Sequence, residues 1–349
     1  MWQLDNRTPF AAERGWVRDR SGSEIWIVAV KCTFDIKPDG ATVVSGQQPP
    51  VTIAPELTNP KTPAQSSLRS ESDLVRTRLT TDIVVHGHAY APNDLPVTSC
   101  DVGFRVGELT KRLRVTGDRY WIDGSPSAPT PFTRMPLLYE RAYGGYDPAS
   151  LETDAPQWEQ RNPAGTGYAR SAASANRRKL PNIEYREHLI SSPRQHPPPA
   201  GFGPIPPHWP PRSAYAGTYD DTWQADRSPL LPLDFDDRHY QCVPPDQQTQ
   251  RFLTGGEKVA LLNLSPVPLL QFALPRIFLG FETLFTTGER QLHEPPKLHT
   301  VILEPDFPRV SLLWHTALPC HPKVLKLKET RIYLKRAGGG VKVPDEQSA

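Results

Sequence analysis

His86 and His88 in VVHGHAY stand one residue apart. On an extended strand they would share a face, a spacing that can hold a metal ion. No third ligand stands in a recognisable position, so two surface or hydrogen-bonded rings are the simpler expectation. Cys320-His321-Pro322, with His293, His299 and His315 upstream, raises the same question. Zinc sites hold four ligands in tight local pairs, and adjacent residues such as Cys320 and His321 face opposite ways on a strand. Asp234, Asp236 and Asp237 in LDFDDR could bind a divalent cation or exchange protons. Such work needs a perturbed carboxylate and a partner across a cleft. Pairing with Arg238 or capping a turn is the expected role.

The glycine-rich pieces are Tyr143-Gly144-Gly145-Tyr146, Gly165-Thr166-Gly167 and Leu253-Thr254-Gly255-Gly256. They lack the strand–glycine–helix context of a phosphate or dinucleotide site and read as tight turns with positive φ. GxSxG, HExxH and a Cys/His pair of known spacing are all missing. The expectation is a non-enzyme without catalytic, cofactor-binding or metal residues.

What stands out instead is the density of rings and prolines in the middle third. GFGPIPPHWPPRSAYAGTYDDTW, residues 201–223, holds five prolines and five aromatic rings. Rings bury large areas at little entropic cost, and proline stiffens irregular backbone. An ordered, non-periodic surface of this kind suits a protein partner, because Trp, Tyr and Arg dominate interface hot spots. The candidate partner-binding residues are Tyr143, Tyr146, Tyr168, Trp209, Arg212, Tyr215, Tyr219, Trp223 and Phe235. Packing of the same rings into the protein's own core is the competing role. Gly217 is expected in a turn and Asp220 as a cap or ion-pair partner.

The elements that must position these residues are mostly strands. EIWIVAVKCTFDI, residues 24–36, alternates, with Trp26, Val28, Val30, Cys32 and Phe34 on the face expected to meet the core. Pro38-Asp39-Gly40 supplies a turn before ATVVSG returns the chain. Further strands are expected at 81–90, 99–107 and in KRLRVTG and DRYWIDG, the last two joined by a hairpin at Gly117-Asp118. KVALLNL, LLQFALP, a hairpin in 299–319 turned at Pro305-Asp306, and ETRIYLKR follow towards the C-terminus. Between Pro148 and Gln250 apolar periodicity fades, and nine of the nineteen residues from Pro193 to Pro211 are proline. A structureless loop of that length is improbable inside a compact domain.

Composition sets the outer bounds. The chain has 349 residues, 40 of them proline, so long helices should be scarce. Eight tryptophans and 37% hydrophobic residues argue for a folded protein. A net charge of +2 leaves no nucleic-acid or membrane footprint. The most apolar stretch is cut by Pro266, Pro268 and Pro275, so no membrane span is expected. Cys32, Cys100, Cys242 and Cys320 lie far apart and fit reduced thiols. With no signal peptide at the N-terminus, a cytoplasmic protein is expected.

Several short motifs occur in order along the chain: YERAYGGYD (139–147), RNPAGTGY (161–168), PNIEY (181–185), LDFDDRHYQCVPPDQQ (233–248) and HTVILEPDFPRVSLLWHTALP (299–319). With the opening stretch, they resemble the bacterial family catalogued as domain of unknown function 2169, over roughly residues 10 to 336. Members are encoded beside type VI secretion genes and are similar to effector adaptors or chaperones. The resemblance implies a cytosolic protein that binds an effector, through its PAAR or N-terminal region, and loads it onto a spike of VgrG and a PAAR-type tip. It supplies no catalytic residues and does not identify the effector.

The resulting expectation is a mainly β protein of antiparallel, sandwich-like sheets. Residues 1–140 form an N-terminal β-rich region, and 141–250 an irregular Pro/Gly/aromatic-rich region packed on the sheets. Residues 251–336 form a C-terminal β-rich region, with 337–349 a flexible tail. The alternative to an adaptor is a carbohydrate-binding or carbohydrate-cleaving β-protein, with Trp209 or Trp223 in an open groove and two carboxylates about 5 to 10 Å apart. A metalloenzyme built on the His and Asp clusters is a third reading.

Overall fold

The computed structural model describes residues 2–150 and 156–335; the tail expected at 337–349 lies outside them. The protein is mainly β, built from mostly antiparallel sheets with a long irregular middle segment.

The alternation in residues 24–36 yields one strand, Glu24–Ile36, at the heart of a six-stranded sheet. It pairs antiparallel with Ala11–Arg18 on one side and Arg309–Pro319 on the other. Beyond these come Lys297–Glu304 and then Asp82–Val85, the latter parallel to its neighbour. Thr42–Val44 returns onto the end of Glu24–Ile36 after the Pro38-Asp39-Gly40 turn. The Lys297–Glu304 and Arg309–Pro319 hairpin turns where expected, at Pro305-Asp306.

A five-stranded sheet runs Ile183–Tyr185, Leu109–Thr116, Ser99–Val106, Lys258–Leu262, Leu269–Ala273. A four-stranded sheet runs Gln3–Asn6, Leu327–Leu334, Leu279–Phe285, Arg290–Leu292. Leu279–Phe285 lies just past the prolines that break the apolar run in the sequence. One hydrophobic cluster draws on all three sheets, with Trp26, Phe34, Phe104, Leu113, Phe281 and Trp314 among its members. Trp26, Val28, Val30, Cys32 and Phe34 all reach it, as their alternation predicts. The opposite face of the same strand is also covered. Lys31 extends its ammonium to Asp73 at 2.7 Å and to the Pro50 carbonyl at 3.1 Å, under a strap formed by residues 46–75.

Two local expectations are corrected. Gly117-Asp118 is not a hairpin turn: Leu109–Thr116 pairs with Ser99–Val106 and Ile183–Tyr185, and Gly117 N–H donates to Thr98. The hairpin in DRYWIDG is instead at Asp123-Gly124, joining Trp121–Ile122 to Ser125–Pro126. The strand expected over 81–90 stops at Val85, whose N–H bonds to the Phe202 carbonyl; His88–Tyr90 pairs separately with Arg134–Pro136. His86 and His88 therefore do not share a strand face.

The middle segment is ordered and pinned. Phe202 is buried against Phe104 with ring centroids 5.6 Å apart. Two buried ion pairs tie the segment to residues 71–82. Arg212 binds Glu71 at 2.6 Å and the Ile205 carbonyl at 2.7 Å. Arg78 pairs with Asp82 and donates to the Tyr240 carbonyl at 2.8 Å, while Asp82 accepts from Gln241 Nε2 at 2.6 Å and Cys242 N–H at 2.7 Å. These contacts satisfy polar groups that irregular backbone would otherwise bury unpaired. Gly217 takes φ +80° in a turn, and Asp220 caps the short helix Asp221–Asp226, accepting from Trp223 N–H at 2.8 Å.

Candidate functional site

The short ordered motifs build the frame of the site. In YERAYGGYD, Tyr143–Gly144 runs parallel to Thr166–Gly167 of RNPAGTGY. A side chain at Gly144 would place Cβ 2.1 Å from the Asn162 carbonyl oxygen at φ +153°, so this close crossing admits only glycine. Asn162 is fully buried, and its Nδ2 donates to the carbonyls of Tyr139 at 2.8 Å and Tyr143 at 3.0 Å. Asn182 of PNIEY does the same for Thr116 at 2.9 Å, and Glu184 pairs with Arg119 at 2.5 Å. Asp147 is buried between Arg178 at 2.8 Å and the Arg170 N–H at 3.0 Å. Burial alone would raise its carboxyl pKa; the hydrogen bonds and cations outweigh it and take it down to about 2.

On this frame sits an aromatic basin. Tyr143 Oη lies 2.6 Å from His196 Nδ1, and the Tyr168 and His196 rings are 5.7 Å apart. Tyr146 and Trp158 face each other across an antiparallel bridge and stand 40% and 47% exposed. Trp158, Glu159, Arg161, Tyr168 and His196 line an open depression of about 500 Å³. Arg161 is held by Glu159 through contacts of 2.8 and 2.7 Å, so its guanidinium is presented rigidly. Exposed rings, an oriented arginine and an imidazole on a stiff base can dock another macromolecule.

The structure thus brings Tyr143, Tyr146 and Tyr168 together. Elsewhere, Tyr215 is paired with Arg238 and Tyr219 with Trp223. The Arg238 guanidinium covers Tyr215 at 4.2 Å, and Tyr219 packs edge-on against Trp223 at 4.7 Å. Tyr219 is exposed, whereas Trp223 is half-buried, with its indole N–H donating to the Leu230 carbonyl at 2.8 Å. The other candidates face inward. Trp209 is buried edge-on against Tyr139, and Arg212, Phe235 and the Tyr143 ring are buried too. Their placement as direct contact residues is therefore corrected to a supporting role: irregular backbone lacks a sheet's ladder, and these side chains supply its packing. Trp209, proposed as a groove-lining ring for a carbohydrate, is not available to solvent.

Sequence reasoning passed over Trp158, Arg161 and His196. Trp158 and Arg161 lie beside or within RNPAGTGY, and that proximity was the signal available. The acidic run is structural as expected: Asp236 caps the turn Asp237–Tyr240 and binds Arg238, Asp234 accepts from Thr218, and Asp237 pairs with Arg76. All four cysteines are buried free thiols. Among the described residues no three His, Cys, Asp or Glu side chains are grouped to hold a metal ion, and no helix is long and apolar enough to cross a membrane.

Fold and basin together define a mainly β protein whose irregular middle segment carries an open aromatic surface. The chain belongs to the family described as "Uncharacterized protein conserved in bacteria (DUF2169)", whose model matches residues 21–315. No curated protein and no solved structure matches it.

Proposed function

We propose that the protein is a non-enzymatic, cytoplasmic adaptor that binds a type VI secretion effector and helps load it onto the VgrG and PAAR spike. The ordered motifs that resemble such adaptors support this reading, because they are the residues that build the basin's frame. The observation that carries it is the pair of exposed rings, Tyr146 and Trp158, beside the Glu159-anchored Arg161. Anchors of this type contribute most when they are rigid before binding.

The test is co-purification with the product of a neighbouring effector gene, followed by secretion assays. Tyr146→Ala and Trp158→Ala together should leave the protein folded and abolish recovery of the effector. An effector equally soluble and equally secreted when this gene is deleted refutes the adaptor reading. Retained binding by the double variant moves the contact surface elsewhere.

A further inference from the structure

Away from the basin, the outer side of the six-stranded sheet carries a two-lobed cleft. One lobe, of about 600 Å³, lies between the 49–56 strap and the sheet, with Pro50, Val51, Ile53 and Ile302 in its walls. The other, of about 490 Å³, lies under the Pro305-Asp306 turn, with Leu68, Leu137, Tyr139 and Phe307. Arg69, His86 and Glu304 line both lobes and form the waist between them. Two chambers with apolar patches in their walls, joined through a polar waist, suit an elongated ligand better than a compact one.

The waist is rich in donors without partners. Of the four cationic side chains lining the lobes, three are neutralised: Lys31 by Asp73 at 2.7 Å, Arg134 by Asp306 at 3.0 Å and Arg309 by Glu304 at 2.8 Å. Arg69 has no carboxylate partner among the described residues and is exposed. Neither ring nitrogen of His86 is hydrogen-bonded among the described residues. Behind them a chamber of about 20 Å³, room for one water, is lined by Arg69, Arg78, His86 and Thr300, and by Glu71 and Asp73, whose carboxylates are already paired with Arg212 and Lys31. Among the described residues, Arg78 Nε and Thr300 Oγ1 are both buried there without a hydrogen-bond partner. Buried polar atoms left unpaired are costly, and each of these groups can donate. Among the described residues, the one carboxylate lining these lobes without a cationic partner is Glu56, and it lines the first lobe only.

We infer that this cleft binds an extended peptide segment, with an internal Asp or Glu side chain seated on Arg69 and His86 at the waist and apolar residues on either side filling the lobes. A carboxylate matches the surplus of donors. An internal side chain is favoured over a chain terminus because the cleft continues in both directions past the waist. Burial holds His86 neutral, its pKa taken down to about 4, so the ring offers one N–H to the carboxylate without competing as a second cation.

The test does not depend on the adaptor reading or on any particular partner. Random 12-residue peptides displayed on phage are selected on the intact protein. Enriched sequences are then resynthesised with acetylated and amidated ends and measured by fluorescence anisotropy. The expected result is a shared Asp or Glu flanked on both sides by apolar residues. Changing that acid to its amide, or Arg69→Gln in the protein, should each weaken binding by about 10-fold or more. Trp158→Ala should not weaken it. Arg69 is exposed, so its replacement leaves the fold intact, as circular dichroism would verify. Four outcomes overturn the proposal: no enrichment, enrichment without an acidic residue, affinity indifferent to Arg69→Gln, or binding that requires a free C-terminal carboxylate.

Discussion

The His299 and His315 rings lie stacked inside the six-stranded sheet, their centroids 4.3 Å apart and their planes 15° from parallel. Phe252 stacks on the outer side of His299 at 5.9 Å. Among the described residues, His299 Nδ1 and His315 Nε2 are buried without hydrogen-bond partners. The two histidines therefore pack in the core as flat, stacked rings.

Acid should unfold the protein through these rings. Burial takes the pKa of His315 down to about 3 and that of His299 well below 6.5, with Arg78 and Lys297 acting in the same direction on both. In the unfolded chain both bind protons near 6.5, so below that pH the unfolded state gains protons that the native state refuses. The stability they permit is complete above 6.5 and is lost as pH falls towards 3. His86 and His293, each lowered to about 4, add to the same slope. Urea titrations between pH 7 and pH 4 should show falling stability, with a shallower fall in His299→Phe. An unchanged slope in that variant would mean the pair does not titrate as described.

The Arg78–Asp82 pair is buried on both sides. Asp82→Ala should cost about 3–5 kcal/mol, because it leaves a guanidinium uncompensated in the interior. Asp82→Leu combined with Arg78→Met should recover much of that loss. Chemical denaturation of the single and double variants checks the coupling, and simple additivity would contradict it.

Gly144→Ala should be more damaging than an ordinary helix or loop glycine change, since both the positive φ and the Asn162 carbonyl oppose a side chain. A loss of about 2–4 kcal/mol is expected from the strain and the broken Asn162 bonds. Measured stability within about 0.5 kcal/mol of the parent would show that the two motifs do not lock as described.

The 202–223 stretch should resist proteases. Arg212 is the residue trypsin would need there, and it is buried with its guanidinium engaged by Glu71, Ile205 and His239. Limited digestion should cut first at exposed sites such as Lys61. Early cleavage after Arg212 would show a flexible tether instead.

Much of the fold is legible where periodicity is strong. The alternation from Trp26 to Phe34 identifies both the strand and the face that meets the core, and Pro305-Asp306 marks its hairpin. Asp220 and Gly217 are readable from local chemistry, because a cap and a turn depend on neighbours in sequence. His86 and His88 mislead for the opposite reason: His88–Tyr90 leaves the Asp82–Val85 strand to pair with Arg134–Pro136, a partner distant in sequence. Leu279–Phe285 is obscured by the prolines before it, which interrupt the apolar run without breaking the sheet. Ring composition flags the middle segment but cannot sort inside from outside. Trp209 and Trp158 look alike as letters, and only the packing of Tyr139 over one of them separates a core ring from a surface ring.

The indole of Trp26 donates to Thr330 Oγ1 at 2.9 Å across 304 residues of chain, and Gln3–Asn6 pairs with Leu327–Leu334. Contacts that close loops of this length carry an entropic cost before they return any stabilisation, so folding waits on them. During synthesis the opening strands have no complete sheet to join until nearly all the chain has left the ribosome. The frame of the aromatic basin does not share that delay: residues 139–185 pair with one another and with Leu109–Thr116, all upstream of the strands that close the chain.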